Sequence, residues 1–135
     1  MKKTPLKRRS RTKRAKLIAK LDKLCREVVM LRDNRTCQHC RTNDPNKQYH
    51  CSHVVAKGVG ASWRRFDLLN MKCLCARCHM WWHENPTESG AWFKKKWPHR
   101  DEYLEKYRYG RPSKITDAEM EELVETLTEK VEELE

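Results

Sequence analysis

Leu74-Cys75-Ala76-Arg77-Cys78-His79-Met80-Trp81-Trp82-His83 is the stretch that decides how the rest of this chain is read. Two cysteines three positions apart on one tight turn present two thiolates to one metal ion, and His79 and His83, four apart, share a face of any helix that follows. A second pair of the same spacing, Cys37-Gln38-His39-Cys40, lies upstream with thirty-four residues between the pairs. Together Cys37, Cys40, Cys75 and Cys78 make one four-cysteine zinc site; redox dithiols or coincidence are the plainer readings. A compact zinc ribbon separates its pairs by only about fifteen to twenty residues, so something is inserted here. Three cysteines remain: Cys25 falls on an apolar helical stripe, Cys51 is unassigned, and Cys73 ranks below Cys75 as a ligand because using it breaks the CxxC spacing.

Working outward, the 135 residues suit one domain, and with 38% of them hydrophobic its core is small and needs help from another source such as a metal. The formal charge of +11 is polarised: residues 1–36 carry +11, residues 37–112 +7 and residues 113–135 −7. A basic arm and centre imply a polyanionic partner, since each cation that neutralises a phosphate releases a counterion; the bland alternative is a solvated surface. There is no apolar run long enough for a membrane span and no apolar segment behind a charged start, so the expectation is no membrane association and a reducing cytoplasm.

Residues 1–12 lack apolar periodicity and are expected to form a basic disordered arm. A basic amphipathic helix follows within 13–34, on Leu17, Leu21, Leu24, Val28 and Leu31 at spacings of four and three. In the zinc-containing segment 35–111, strands are expected over Gln48–Ala56 and, more weakly signalled, Trp63–Phe66. A helix then runs from Ala76 to Glu84 and stops at Asn85-Pro86, and shorter helices cover Glu88–Trp97 and Asp101–Tyr109. The last segment, 112–135, opens with the Thr116-x-x-Glu119 capping box and repeats apolar residues at Met120, Val124, Leu127, Val131 and Leu134. This acidic helix is expected either to dock on the basic helix or to pair with another chain or protein partner. The fold class is α+β, a small zinc-stabilised core with flanking amphipathic helices.

The order of residues between the zinc halves, Tyr49-His-Cys-Ser-His-Val-Val55, Phe66-Asp-Leu-Leu-Asn70 and Leu74-Cys-Ala-Arg-Cys-His79, resembles that of the HNH endonuclease superfamily, whose ββα-metal site lies on two strands and a helix. The resemblance covers about Cys37–Pro86. The His50-Cys-Ser-His53 and Cys78-His-x-x-x-His83-Glu-Asn-Pro86 segments also look like small phage-type members related to the NinG/Rap recombination nucleases. The resemblance implies a metal-dependent DNA endonuclease, acting in phage recombination or processing inside a bacterial host. It gives His53 the role of general base, Asn70 that of holding the loop bearing His53, and His79 that of binding a catalytic Mg²⁺ or Mn²⁺. His83 stays open between metal ligand, phosphate donor and exposed residue. Independently of resemblance, a neutral imidazole suits proton abstraction from water at neutral pH.

One departure stands out. Where many members carry an acidic metal ligand just before the general base, this chain has Ser52. His50 or Asp67 is a candidate replacement, a transition metal suits a site richer in imidazole than carboxylate, and a zinc-stabilised nucleic-acid-binding protein without catalysis is the alternative function. An adaptor acting through 113–135 is a third. Of the adjacent Trp81 and Trp82, one is expected over the zinc site and the other near substrate. For DNA contact the first choice is the Lys57–Arg65 loop, with Lys57, Trp63, Arg64 and Arg65. The second is the arm, with Arg8, Arg9, Arg11, Lys13 and Arg14, and the third Lys94–Lys96.

Overall fold

A computed structural model describes residues 3, 12–110 and 113–135. The proposed arm residues Arg8, Arg9 and Arg11 lie outside the described residues. Helix α1, Lys13–Arg32, starts where the Thr12 side chain accepts a hydrogen bond from the Ala15 N–H at 3.1 Å. It ends in a left-handed turn, with Asn34 at φ 55° and Arg35 at φ 46°. Strand β1, Tyr49–His53, pairs antiparallel with β2, Met71–Cys75, in the register Tyr49 to Cys75 and His53 to Met71. β2 runs straight into α3, Ala76–Glu84, followed by α4, Pro86–Lys96, and α5, Pro98–Tyr109, each opening on a proline that needs no N–H partner. A short helix α2, Trp63–Phe66, and a 3-10 turn, Leu68–Asn70, fill the excursion between the strands; α6, Asp117–Leu134, closes the fold. The chain is thus α+β, mostly helical with a two-stranded sheet. Among the described residues no helix is long and apolar enough to cross a membrane.

Two expectations about strands are corrected. Trp63–Phe66 is helical, because the Ser62 side chain accepts from the Arg65 N–H and caps it. The second strand is instead Met71–Cys75, in which all five residues are buried, so no apolar-polar alternation announces it. β1 is shorter than Gln48–Ala56, ending where Val54 N–H donates to the Asn70 carbonyl and Val55 turns to the Asn70 side chain. α4 and α5 each begin two or three residues earlier than the periodicity suggests, at their prolines.

α1 is sandwiched between α6 and the sheet. The buried seam is therefore wider than one stripe: Leu21 and Val28 are joined by Cys25, Val29 and Met30, while Leu31 is 37% exposed at the rim. α6 packs on α1 through Met120 and Leu127, both buried, with Leu123, Val124 and Val131 against the same core. Its start is tied to the start of α1: Arg14 donates to Asp117 at 2.6 Å and to the Ile115 carbonyl at 2.7 Å, and Lys13 pairs with Glu121 at 2.8 Å. Arg14 is thereby a fastener between the two helices rather than a free cation, which removes the basis for counting it in a DNA-binding arm.

Candidate metal centre and histidine cleft

Each zinc half is built by a different local rule. The first pair sits in a turn after α1 in which Cys37 N–H donates to Thr42 O, Arg41 N–H to Cys37 O and Gln38 N–H to Cys73 O, all at 2.9 Å. The second straddles the start of α3, with Cys75 as N-cap, its sulfur accepting from the Cys78 N–H at 3.5 Å. A helix N-terminus favours negative charge, and the sulfurs of Cys75 and Cys78 lie at it. The four sulfurs lie within 4.8 Å of one another, and Cys40 and Cys75 are 3.8 Å apart. Sulfurs each about 2.3 Å from a tetrahedral ion stand about 3.8 Å apart, so the cluster could hold a structural metal such as zinc. All four cysteines are free thiols. Burial opposes ionisation of Cys37, but the backbone N–H groups of Cys75, Cys40 and His39 outweigh it and bring the thiol down to about 7. Burial pushes Cys75 and Cys78 up; a bound cation reverses that order, because a metal deprotonates its thiols outright.

His39 and Trp81 wall this cluster. Their rings stack at 4.0 Å between centroids, 17° apart, and His39 Nδ1 stands 3.3 Å from Cys78 Sγ. With a thiolate at Cys78, the imidazole N–H is the donor, an outer-shell bond of the kind that orients a ligand. Trp81 is thus the tryptophan beside the cysteine cluster. Trp82 is turned the other way, 9% exposed and lining the histidine cleft.

That cleft has two lobes of about 210 and 380 Å³ sharing Cys51, His53, Lys57 and His79. His53 Nε2 lies 3.0 Å from the Arg65 carbonyl. A carbonyl only accepts, so the ring proton sits on Nε2 and the Nδ1 lone pair is free. Burial holds His53 below the usual histidine range, partly offset by the bond to Arg65; it is neutral at pH 7. Behind it, the fully buried Asn70 binds both sides of the 54–65 loop. Its Oδ1 accepts from Val55 N–H at 2.8 Å, and its Nδ2 donates to the Val55 and Arg64 carbonyls, both at 2.9 Å. The turn carrying Asn70 is itself held: Arg32 donates to the Leu68 and Met71 carbonyls and Arg100 to those of Leu69 and Met71.

His79 and His83, one turn apart on α3, bring their Nε2 atoms to 3.0 Å, and the His50 ring lies 4.9 Å from that of His79 between centroids. Two imidazole nitrogens each about 2.1 Å from one ion stand about 3.0 Å apart at a right angle and about 3.4 Å at the tetrahedral angle. The pair fits as two ligands of one metal. Burial first, then the charges of His83 and His50, hold His79 down to about 4, leaving it neutral. Asp67, the other candidate replacement, does not line the cleft, and its carboxylate accepts from the hydroxyls of Tyr103 at 2.6 Å and Tyr107 at 2.8 Å on α5. His50 is the candidate that remains.

Ser52 does not face the cleft. It is fully buried and its Oγ accepts from Lys72 Nζ at 3.0 Å; Lys72 is itself 0% exposed, its ammonium nitrogen 3.4 Å from the centroid of the Trp82 ring. Burial, with the nearby Arg100 adding to it, holds Lys72 well below the ordinary lysine range. Sequence reasoning missed this lysine, which sits in a run read as leading into α3; only the aromatic beneath and the serine opposite explain it. Cys51, in the cleft, is pushed up to about 11 by burial and is a thiol, not a nucleophile.

In the loop, Lys57 is exposed at the cleft mouth and Trp63 is 36% exposed. Gly58, at φ 70°, leaves room for the Arg64 guanidinium: a Cβ there meets Arg64 Nη2 at 2.7 Å. Arg65 is committed elsewhere, to a two-bond pair with Asp22 at 3.0 and 2.6 Å. It braces the loop against α1 and is not a free phosphate donor. Comparison of the chain with protein-family models, with curated proteins and with solved structures returns no match.

Proposed function

We propose that the chain is a metal-dependent DNA endonuclease of the HNH kind, with zinc as the structural metal on the four cysteines. One observation carries the reading: a neutral His53 whose Nε2–H is spent on a backbone carbonyl lines the same cleft as two imidazoles spaced for one ion. His53 Nδ1 takes a proton from water, the water oxygen bonds to phosphorus, and the bond from phosphorus to the 3′ oxygen breaks; that oxygen takes a proton from solvent, leaving a 5′ phosphate and a 3′ hydroxyl. Asn70 fixes the loop that presents the Arg65 carbonyl, and so fixes which nitrogen of His53 is the base. Lys57 sets positive charge at the mouth, where a phosphate enters. A divalent ion on His79 and His83, with His50 alongside, would polarise the scissile phosphate and stabilise the leaving oxygen. The donor set is imidazole with no free carboxylate, which favours a first-row transition ion such as Mn²⁺ over Mg²⁺. Because Ser52 points into the core, its replacement of the usual acid is no argument for an inactive site.

The test is relaxation of supercoiled plasmid by zinc-loaded protein with EDTA, Mg²⁺, Mn²⁺ or Ni²⁺, beside His53→Ala. Cleavage that needs added metal and is lost in His53→Ala, with zinc content unchanged, is the expected result. Equal DNA binding by both proteins without cleavage under any metal overturns the enzyme and leaves the non-catalytic binder.

A further inference from the structure

The sequence directs attention to the Lys57–Arg65 loop, yet the surface on the opposite side of the histidine cleft is also built of cations. From the cleft lobe lined by Arg26, His50 and Lys57, Arg26 and His50 continue into a trough of about 410 Å³ containing Arg35 and Lys47. Lys47 and Gln48 in turn continue into a hollow of about 540 Å³ that has Cys40, Cys75 and Cys78 of the cysteine cluster in its lining, with the stacked His39 and Trp81 as a wall and Arg77 at its flank. The three hollows share walls and make one path. It passes β1 at Tyr49 and His50 and reaches the end of β2 at Cys75.

Asp22 lines the cleft lobe, where Arg65 holds it, and beyond that lobe the charge along the trough and the hollow has one sign. Arg26, Arg35, Lys47 and Arg77 are all exposed, and none is in an ion pair among the described residues. No acidic residue lines the trough or the hollow. Glu27 and Glu135 stand in an adjoining depression that shares Arg26, Met30 and Arg35 with the trough, and they border it on that side. Arg35 occupies a left-handed backbone position that glycine fills more cheaply. At the far end the exposed cation of Arg77 stands beside Trp81, one face of which is taken by His39.

We propose that this path is a second DNA-binding surface, along which the strand flanking the scissile phosphate runs from the histidine cleft past Arg26, Arg35 and Lys47 to Arg77 and Trp81. The proposal rests on the nuclease reading for its ligand and extends it, giving the enzyme contacts on both sides of the cut. Arg77 and His79 belong to opposite sides of α3, two residues apart on a helix, so the strand turns around the start of that helix. One cation per successive phosphate makes the binding salt-dependent in proportion to the number engaged.

The experiment uses the full chain, zinc-loaded and carrying His53→Ala so that no substrate is consumed. Binding of fluorescein-labelled duplex is followed by anisotropy across a salt series. Arg35→Ala, Lys47→Ala and Arg77→Ala are each expected to weaken binding and to reduce the slope of log K against log salt by about one. Lys130→Ala, the same loss of charge on α6, is expected to leave the slope as it was. Zinc content and thermal melting establish that each variant is folded. If the parent binds DNA and the three slopes match that of Lys130→Ala, the path is refuted while the nuclease reading stands. If the parent binds no DNA at all, both fall.

Discussion

Asn70→Ala separates the clamp from the chemistry. The amide is fully buried and makes three hydrogen bonds, at 2.8, 2.9 and 2.9 Å, to Val55 N–H and to the Val55 and Arg64 carbonyls. Truncation leaves one N–H and two carbonyls without their partner. The buried donor costs about 1–3 kcal/mol and the carbonyls less, since both belong to half-buried residues that water reaches. The sum is on the order of 3 kcal/mol, a large share of the stability of a small domain, and lowers Tm by about 10 °C. Urea unfolding of the zinc-loaded protein measures the first quantity, and amide exchange at Val55, faster in the variant, localises it. Asn70→Asp sharpens the test: its carboxylate keeps the acceptor for Val55 N–H but faces two carbonyl oxygens. It should therefore be worse than alanine at neutral pH and recover as acid protonates it. Stability within about 0.5 kcal/mol of wild type, with Val55 exchange unchanged, would refute the clamp.

Three further outcomes follow from the same geometry. The protein should bind one zinc per chain and lose it on Cys37→Ser; zinc affinity should fall as pH drops below about 7, where Cys37 and its raised partners hold protons that compete with the metal, and titration against a coloured chelator at two pH values reads this. For Lys72, the folded state holds fewer protons than the unfolded chain below the ordinary lysine pKa of 10.5, so wild-type stability should rise with pH toward that value, whereas Lys72→Met, similar in volume, should flatten that part of the curve; identical slopes in chemical denaturation sink the assignment. Because burial depresses His53, the base form persists into mild acid, and the acid limb of cleavage at saturating metal should have its midpoint below 6.5; a midpoint at or above that value contradicts a buried base.

The parts legible in the sequence are those governed by local period and ligand spacing. α1 and α6 repeat apolar residues at helical intervals, α3 is marked by its Asn85-Pro86 stop, and the cysteine pairs announce a cluster that the structure gathers within 4.8 Å. Illegible were features set by partners distant in sequence. β2 has no exposed face and so no alternation, and Lys72 is buried only because Trp82 and Ser52 are there to receive it. Arg14 and Arg65 look like free cations until Asp117, 103 positions away, and Asp22, 43 away, claim them. The cationic path past Arg35 and Lys47 collects residues from one loop and two helices, which no single window of sequence contains.

α1 and α6 lie side by side in the same direction: Lys13 meets Glu121 at their starts, and Met30 and Leu31 border Val131 at their ends. Parallel neighbours cannot be joined by a short hairpin, so nearly the whole domain serves as their crossover. The two helix dipoles repel in this arrangement, and the basic and acidic faces offset it. Closing a contact across about a hundred residues is slow compared with forming the local helices and the zinc turn. During synthesis, α1 therefore waits for its cover until the last turns of α6 are made, and a ribosome stalled before residue 117 leaves an apolar helix face open to aggregation.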